Sequence, residues 1–340
     1  MFVNLKNNTN AILTQRKRPR ASKFDETNPN FKRKITLNKS KGDTLKAYQN
    51  IQFLKNLKHN NIIKLEETYK RDDKIVLKYE SVKDNLTNTL KNKNMFLEEN
   101  QIKKIFYQLV LSVYYLHSKK IEHNNINPKN IYLTEDFEVK LDNFTKAKTP
   151  FLSNISSLVK VNQTFYTSPE AMLNNNKNPD TQFKSDIWSL GCVFLTLLNR
   201  NDNLGSKKNY MKILKAMFQL LGKPSTFELD FVKSKSARKW INELKKYRTR
   251  LPSSYIKQPY VENDAKELLD LLLKIDPRKR PTCENILKHK YFSTIFNVED
   301  LILSENEEMN RADFEPILLN IEDEEKQMEY LNKILTKNTE

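Results

Sequence analysis

Residues 98–145 read EENQIKKIFYQLVLSVYYLHSKKIEHNNINPKNIYLTEDFEVKLDNFT, setting out a helix, a polar loop and a hairpin in that order. The opening stretch predicts a strong amphipathic helix over 98–117. Ile105, Phe106, Leu109, Val110, Val113 and Leu116 form a stripe as wide as a helix packed within a core requires. The asparagine-rich run HNNINPKN (123–130) follows, and 131–133 with 138–141 read as the two arms of a short hairpin.

Upstream, residues 44–57 predict another helix, because Leu45, Tyr48, Ile51, Leu54 and Leu57 recur at spacings of three and four. Residues 62–69 and 74–79 read as strands joined by the polar turn Lys70-Arg71-Asp72-Asp73. The first forty residues hold few apolar side chains and no glycine, so strands there should be short or irregular. Beyond Pro169 the pattern is mainly helical, and no internal repeat is visible. A chain of 340 residues with 38% hydrophobic content can bury a substantial core, as one bilobal unit or two modest domains. No stretch approaches the roughly 20 apolar residues of a membrane span, and MFVNLKNNTNAIL lacks the apolar run of a signal peptide. The expectation is an intracellular protein, in cytoplasm or nucleus. Cys192 and Cys283 form neither a metal-ligand spacing nor a disulfide framework, which suits a reducing compartment. The formal charge of +17 suits nucleic acid, anionic lipid or acidic protein segments. A drift toward lysine and asparagine along the whole chain, leaving a solvated surface, explains most of it without any binding function. A charge concentrated in one stripe would favour nucleic acid, and a uniform spread would weaken that reading. The run Arg16-Lys17-Arg18-Pro19-Arg20 suits nuclear import or a phosphate-contacting arm.

An ordered set of motifs across almost the whole chain resembles the eukaryotic protein kinases. QNIQFLKNLKHNNIIKL (49–65) looks like the small-lobe helix and following strand of cyclin-dependent and MAP kinases. HNNINPKN sits where the family writes H-R-D-L-K-P-x-N, and VKLDNFT (139–145) where a strand leads into D-F-G. SPE (168–170), DIWSLGC (186–192) and DPRKRPT (276–282) follow in family order. FQLLGKPSTFELDFVKSKSARKWINEL (218–244) resembles the MAP-kinase insert, and the chain after Phe292 resembles that group's C-terminal extension, so a MAP kinase is the nearest likeness and a cyclin-dependent kinase the next. The resemblance implies an α+β, bilobal protein-kinase fold. A divergent small β-rich lobe would occupy 1–80, and a larger helical lobe 81–292 with an insert at about 201–260. An extension over 293–340 would pack back on the small lobe.

The resemblance also shows what phosphoryl transfer would lack. The catalytic aspartate position is Asn125, a carboxamide that cannot serve as general base. The lysine two residues on is Asn127, and of the loop's polar positions Asn130, a Mg²⁺-ligand position, survives. The other metal position is Asn143, an amide where this hard cation wants anionic oxygen. Asp142 lies one place early, and strand alternation would turn it to the opposite face. The glycine-rich loop is replaced by Asn10-Ala11-Ile12-Leu13-Thr14-Gln15-Arg16. Arg33 stands at the phosphate-pairing lysine, flanked by Lys32 and Lys34, and its usual glutamate partner is Asn50. Glu80 and Val82 fall at nucleotide-pocket positions. Phe31 and Tyr132 fall above and below the adenine, where two rings would fill the pocket, or Phe31 would shift if the register slips in this divergent stretch. The activation-segment phosphosite corresponds to Leu158-Val159-Lys160, leaving Ser153, Ser156 and Ser157 nearby, and Asn124 replaces the arginine that would read it.

Fold-bearing positions persist. Leu54, Leu65, His123 and Phe144 match the hydrophobic stack between the lobes, Asp186 its anchor, and Glu170 with Arg280 the pair that fastens the activation segment. Trp188, Gly191 and Pro281 suit packing or turns. The leading expectation is a pseudokinase that binds a protein partner in kinase signalling, as a monomer, with no cofactor. ATP and Mg²⁺ enter only if the pocket is open. The alternative is a serine/threonine kinase with residual or unconventional phosphotransfer, through Asp142 and one of Lys32, Arg33 or Lys34. A basic nucleic-acid-binding protein on the same fold is the third reading; nucleic acid and membrane are not the expected partners. Glu305, Glu307, Glu308 and Asp313 lie near where MAP kinases hold a groove for basic peptides, or form a solvated loop.

Overall fold

The β-branched and apolar run of residues 74–79 forms the middle strand of a three-stranded antiparallel sheet in a computed structural model that describes residues 32–36, 41–71, 74–150, 164–173, 181–201, 204 and 209–303. The sheet is built from β1 (Lys32–Thr36), β2 (Leu65–Arg71) and β3 (Lys74–Tyr79), in the order β1-β3-β2. A bulge interrupts the β2–β3 register between Leu65 and Glu67. Between β1 and β2 runs α1 (Lys41–Asn56). It buries Ala47, Tyr48, Ile51, Phe53 and Leu54, together with the carboxamides of Gln49, Asn50 and Gln52. Strand β2 starts three residues later than the sequence suggests, because Ile62 and Ile63 serve another sheet. Ile62 bridges Leu141, Ile63 N donates to Leu141 O at 3.0 Å, and Leu141 N donates to Asn61 O at 2.9 Å.

That second sheet is β4 (Asp84–Asn85), β5 (Ile131–Leu133) and β6 (Val139–Leu141), antiparallel in sequence order. Asn85 caps α2 (Leu86–Lys91), and α3 (Glu99–Ser118) begins with a capping box between Glu98 and Gln101. The larger lobe continues with α4 (Pro169–Met172), α5 (Lys184–Leu198), α6 (Tyr210–Leu221), α7 (Lys235–Glu243), α8 (Asn263–Leu272), α9 (Cys283–Leu287) and α10 (Glu299–Leu303). Its centre is the contact of α3 with α5, where the rings of Phe106 and Phe194 stack with centroids 4.1 Å apart. Gly191 lets α5 approach the end of α8, since a Cβ there would lie 2.8 Å from the Leu273 side chain and 2.9 Å from Leu272.

The α+β, two-lobed architecture is therefore as the sequence implies. No helix among the described residues is long and apolar enough to cross a membrane. Phe31, the 10–16 and 16–20 segments, residues 153–160 and the tail from 304 onward lie outside the described residues. Arg33 is described through its backbone, which pairs with Leu77 in the sheet.

Candidate functional site

The loop 123–130 and the segment 142–145 meet between the lobes, and Asp186 at the start of α5 anchors the first of them. Asp186 is fully buried. Its Oδ2 accepts from His123 N at 2.8 Å and lies 3.0 Å from His117 Nε2, while its Oδ1 accepts from Asn124 N at 2.8 Å. Burial works to raise this carboxyl, and the hydrogen bond and charge of His117, with those of His123, outweigh it and hold it below the ordinary carboxylate value. The residue thus takes the anchoring role its motif suggests.

The carboxamides of the loop are turned into local structure. Asn127 Nδ2 and Asn130 Nδ2 both donate to Asn125 O, at 2.8 and 2.7 Å, and Asn127 Oδ1 accepts from Lys129 N at 3.1 Å. Asn125 Nδ2 donates to Asn143 O at 3.3 Å. Across the gap Asn143 Nδ2 donates to Asn130 Oδ1 at 3.0 Å, and Thr145 Oγ1 donates to Asn143 Oδ1 at 2.6 Å. Asn143 has a left-handed φ of 75°, a conformation asparagine tolerates better than most residues. Asn125, Asn127, Asn130 and Asn143 therefore do come together, as a neutral network. Asp142 is fully buried, its N–H donating to Asn130 O at 2.9 Å. Among the described residues no cluster of three or more His, Cys, Asp or Glu is placed to hold a metal.

Helix α1 is tied to the same segment by carboxamides. Asn50 Oδ1 accepts from Phe144 N at 2.7 Å, while Gln49 Nε2 donates to Ala147 O at 2.7 Å and Phe144 O at 3.1 Å. Phe144, fully buried, stacks on Phe53 at 5.8 Å and meets His123 edge-on at 4.9 Å. Leu54 is buried and Leu65 partly so, completing the stack between lobes. The sequence does not single out Gln49, and it marks Thr145 only as standing at the glycine of D-F-G. The apolar stripe of α1 runs through positions 47, 48, 51 and 54, and Gln49 falls about 160° from its middle, so helical periodicity carries no sign of its burial.

At the nucleotide-pocket positions, Glu80 is committed to structure. Its carboxylate accepts from Lys64 N at 2.7 Å and lies 3.2 Å from Lys140 Nζ. Val82 packs partly buried against the core, and the next residue, Lys83, donates its N–H to Leu133 O at 2.8 Å. Tyr132, central in β5, and Tyr79, at the end of β3, are both buried.

Two histidines beside the site set an acid limit. Burial drives His123 down to about 4, against the opposing pull of Asp186 and the Asp142 carbonyl. Geometry agrees, since Nδ1 accepts from Asn125 N at 3.2 Å while Nε2 lies 3.2 Å from Asp142 O, one acceptor and one donor. Burial and then Lys140 drive His59 to about 4 as well, and its Nδ1 accepts from Asn61 N at 3.0 Å. The unfolded chain binds these protons near 6.5. Their contribution is therefore present above pH 6.5 and lost as pH falls toward 4, with a slope approaching two protons, about 2.7 kcal/mol per pH unit. Unfolding free energies from urea titrations are expected to fall with a slope that steepens from about half that value at pH 6.5 toward it near pH 5, and His59→Asn to halve the slope. A flat profile would mean that neither ring is neutral in the folded state.

Comparisons with known proteins agree with this geometry. A family model described as the protein kinase domain matches residues 23–292. Mitogen-activated protein kinases 13 and 5 of Arabidopsis thaliana are each 27% identical to the chain, over 263 and 266 residues. These alignments cover 76% and 77% of this chain and 70% and 69% of theirs. Mitogen-activated protein kinase 1 of Oryza sativa subsp. japonica is 26% identical over 267 residues, 77% of this chain and 65% of its own.

Proposed function

Because this chain belongs to the protein kinase family, as a MAP-kinase-like domain, we propose that it is a pseudokinase that works by binding a protein partner in signalling rather than by transferring phosphate. The family ordinarily uses ATP with Mg²⁺ held by carboxylates beside the phosphates. The observation that carries the proposal is the bond from Asn143 Nδ2 to Asn130 Oδ1. It joins the two metal-ligand positions to each other, and Thr145 occupies the remaining Asn143 oxygen. Neutral amide oxygens already engaged in hydrogen bonds do not fit a small cation that demands anionic oxygen and near-ideal octahedral geometry. Asn125 adds to the case, since its NH₂ group faces the Asn143 carbonyl and has no proton-accepting nitrogen to offer a substrate hydroxyl. The buried rings of Tyr79 and Tyr132 support a closed pocket. The unconventional-kinase reading would rely on Asp142, and its full burial speaks against that role. What remains is a folded two-lobed frame, which suits a scaffold or allosteric partner.

Asn143→Asp tests the reading. Without metal, two oxygens then face each other at the Asn130 contact, and about 1–3 kcal/mol of stability is expected to be lost. Adding Mg²⁺ should restore melting temperature in the variant and leave the wild type unmoved, and a fluorescent ATP analogue should bind neither form of the wild type, with or without Mg²⁺. Mg²⁺-enhanced nucleotide binding by the wild type at micromolar concentration would overturn the proposal.

A further inference from the structure

Residues 233–250, KSKSARKWINELKKYRTR, hold eight lysines and arginines against one acid, Glu243. They form α7 and the extended chain that follows it, pinned from beneath. Ile241 is buried, and Trp240, Leu244 and Tyr247 pack half-buried against the core. Lys223 Nζ donates to Asn242 O at 2.6 Å and Leu244 O at 2.8 Å, closing the end of α7. Thr249 crosses over Gly222, where φ is +100° and a Cβ would lie 2.7 Å from Thr249 Cα. The inward residues fix the segment, and Lys235, Lys239, Lys245, Lys246, Arg248 and Arg250 are left exposed. Among the described residues none of these six has an ion pair. Elsewhere on the larger lobe, exposed lysines do find acids: Lys279 with Glu228, Lys288 with Glu284, Lys290 with Asp264 and Glu267. Among the described residues Lys104, Lys212, Lys215 and Lys257 are also exposed without an ion pair, but in ones and twos; the strip differs in setting six such cations within sixteen consecutive residues.

We propose that this strip is a binding surface for the phosphate backbone of a nucleic acid. A row of cations along a helix and then an extended chain, with no acid interleaved except Glu243, complements a ligand of uniform repeating charge better than an acidic protein surface of irregular carboxylates. The strip reaches at most roughly 35 Å, over which a duplex presents about 20 phosphates, so the number of cations limits the contacts.

The test is fluorescence anisotropy of the full chain with a labelled duplex and a labelled single strand, from 50 to 200 mM salt. Six contacts predict a slope of log K on log salt of about −5 for the duplex and about −4 for the single strand. The variant K245Q/K246Q/R248Q/R250Q should reduce either slope to about −2 and weaken binding at least tenfold at 100 mM salt. A control of equal charge loss, K104Q/K212Q/K215Q/K257Q at exposed sites, should leave both unchanged, with thermal melts confirming that each variant folds. A wild-type slope shallower than about −2, an equal fall in the control, or equal affinity for a length-matched polyglutamate would each overturn the proposal.

Discussion

Replacing Arg280 by leucine is expected to cost about 3–5 kcal/mol of folding stability, the range for breaking a buried ion pair by removing one partner. Arg280 is fully buried, and each of its nitrogens is engaged. Nη1 and Nη2 donate to the two oxygens of Glu170 at 2.6 and 2.8 Å, Nη1 also to Lys184 O at 2.7 Å, Nε to Lys274 O at 2.8 Å, and Nη2 to Ile275 O at 3.1 Å. The guanidinium carbon lies 5.2 Å from the Trp188 ring. Without it the Glu170 carboxylate is stranded in the interior and three carbonyls lose a donor. Arg280→Lys should recover little, because a single ammonium cannot reproduce the planar fork. The double variant Arg280→Leu/Glu170→Leu should be more stable than Arg280→Leu alone, since it removes the stranded charge. Urea denaturation decides the matter, and a loss below about 1 kcal/mol in the single variant would show that the pair contributes nothing net.

Asp186→Asn is the second large effect. Three donors converge on the carboxylate, and an amide can accept on one side only, so at least one N–H or the His117 ring loses its acceptor at about 1–3 kcal/mol or more. The titration of His117 gives a sharper reading. Burial pulls this imidazole down, but Cys283, 3.5 Å from Nδ1, and Asp186, 3.0 Å from Nε2, outweigh burial and hold it up at about 10. Its stabilising contribution is therefore fully present below pH 6.5 and is lost as pH rises through about 10, opposite to that of His59 and His123. Asp186→Asn should lower the His117 titration midpoint, measured by NMR of the ring protons, and reduce the alkaline-side loss of stability between pH 6.5 and 10, the share held by Cys283 remaining. An unchanged midpoint would mean that Asp186 does not govern the ring's protonation.

The helices at 44–57 and 98–117 and the hairpin of β5 and β6 were legible because their patterns are long or tightly bounded, whereas β4, two residues long, carries no pattern to read. The boundary of β2 was not, since periodicity cannot say that Ile62 and Ile63 pair with Leu141 across the chain. For the site, motif order located Asn125, Asn130, Asn143 and Asp186, and the residue types announced which charges are missing. Sequence could not show what replaces them. The role of Gln49 depends on which carbonyls α1 faces, and the Asn143–Asn130 bond on a left-handed backbone at Asn143, neither of which a single sequence encodes visibly.

The carboxamide network also bears on what residues 125 and 143 accept. Restoring an acid at residue 143 alone sets two oxygens against each other, and at residue 125 alone sets a carboxylate against the Asn143 carbonyl. Each of these single substitutions is thus destabilising without metal, and at residue 143 bound Mg²⁺ would offset the loss. The network thus disfavours a carboxylate at either position through the stability of the fold alone.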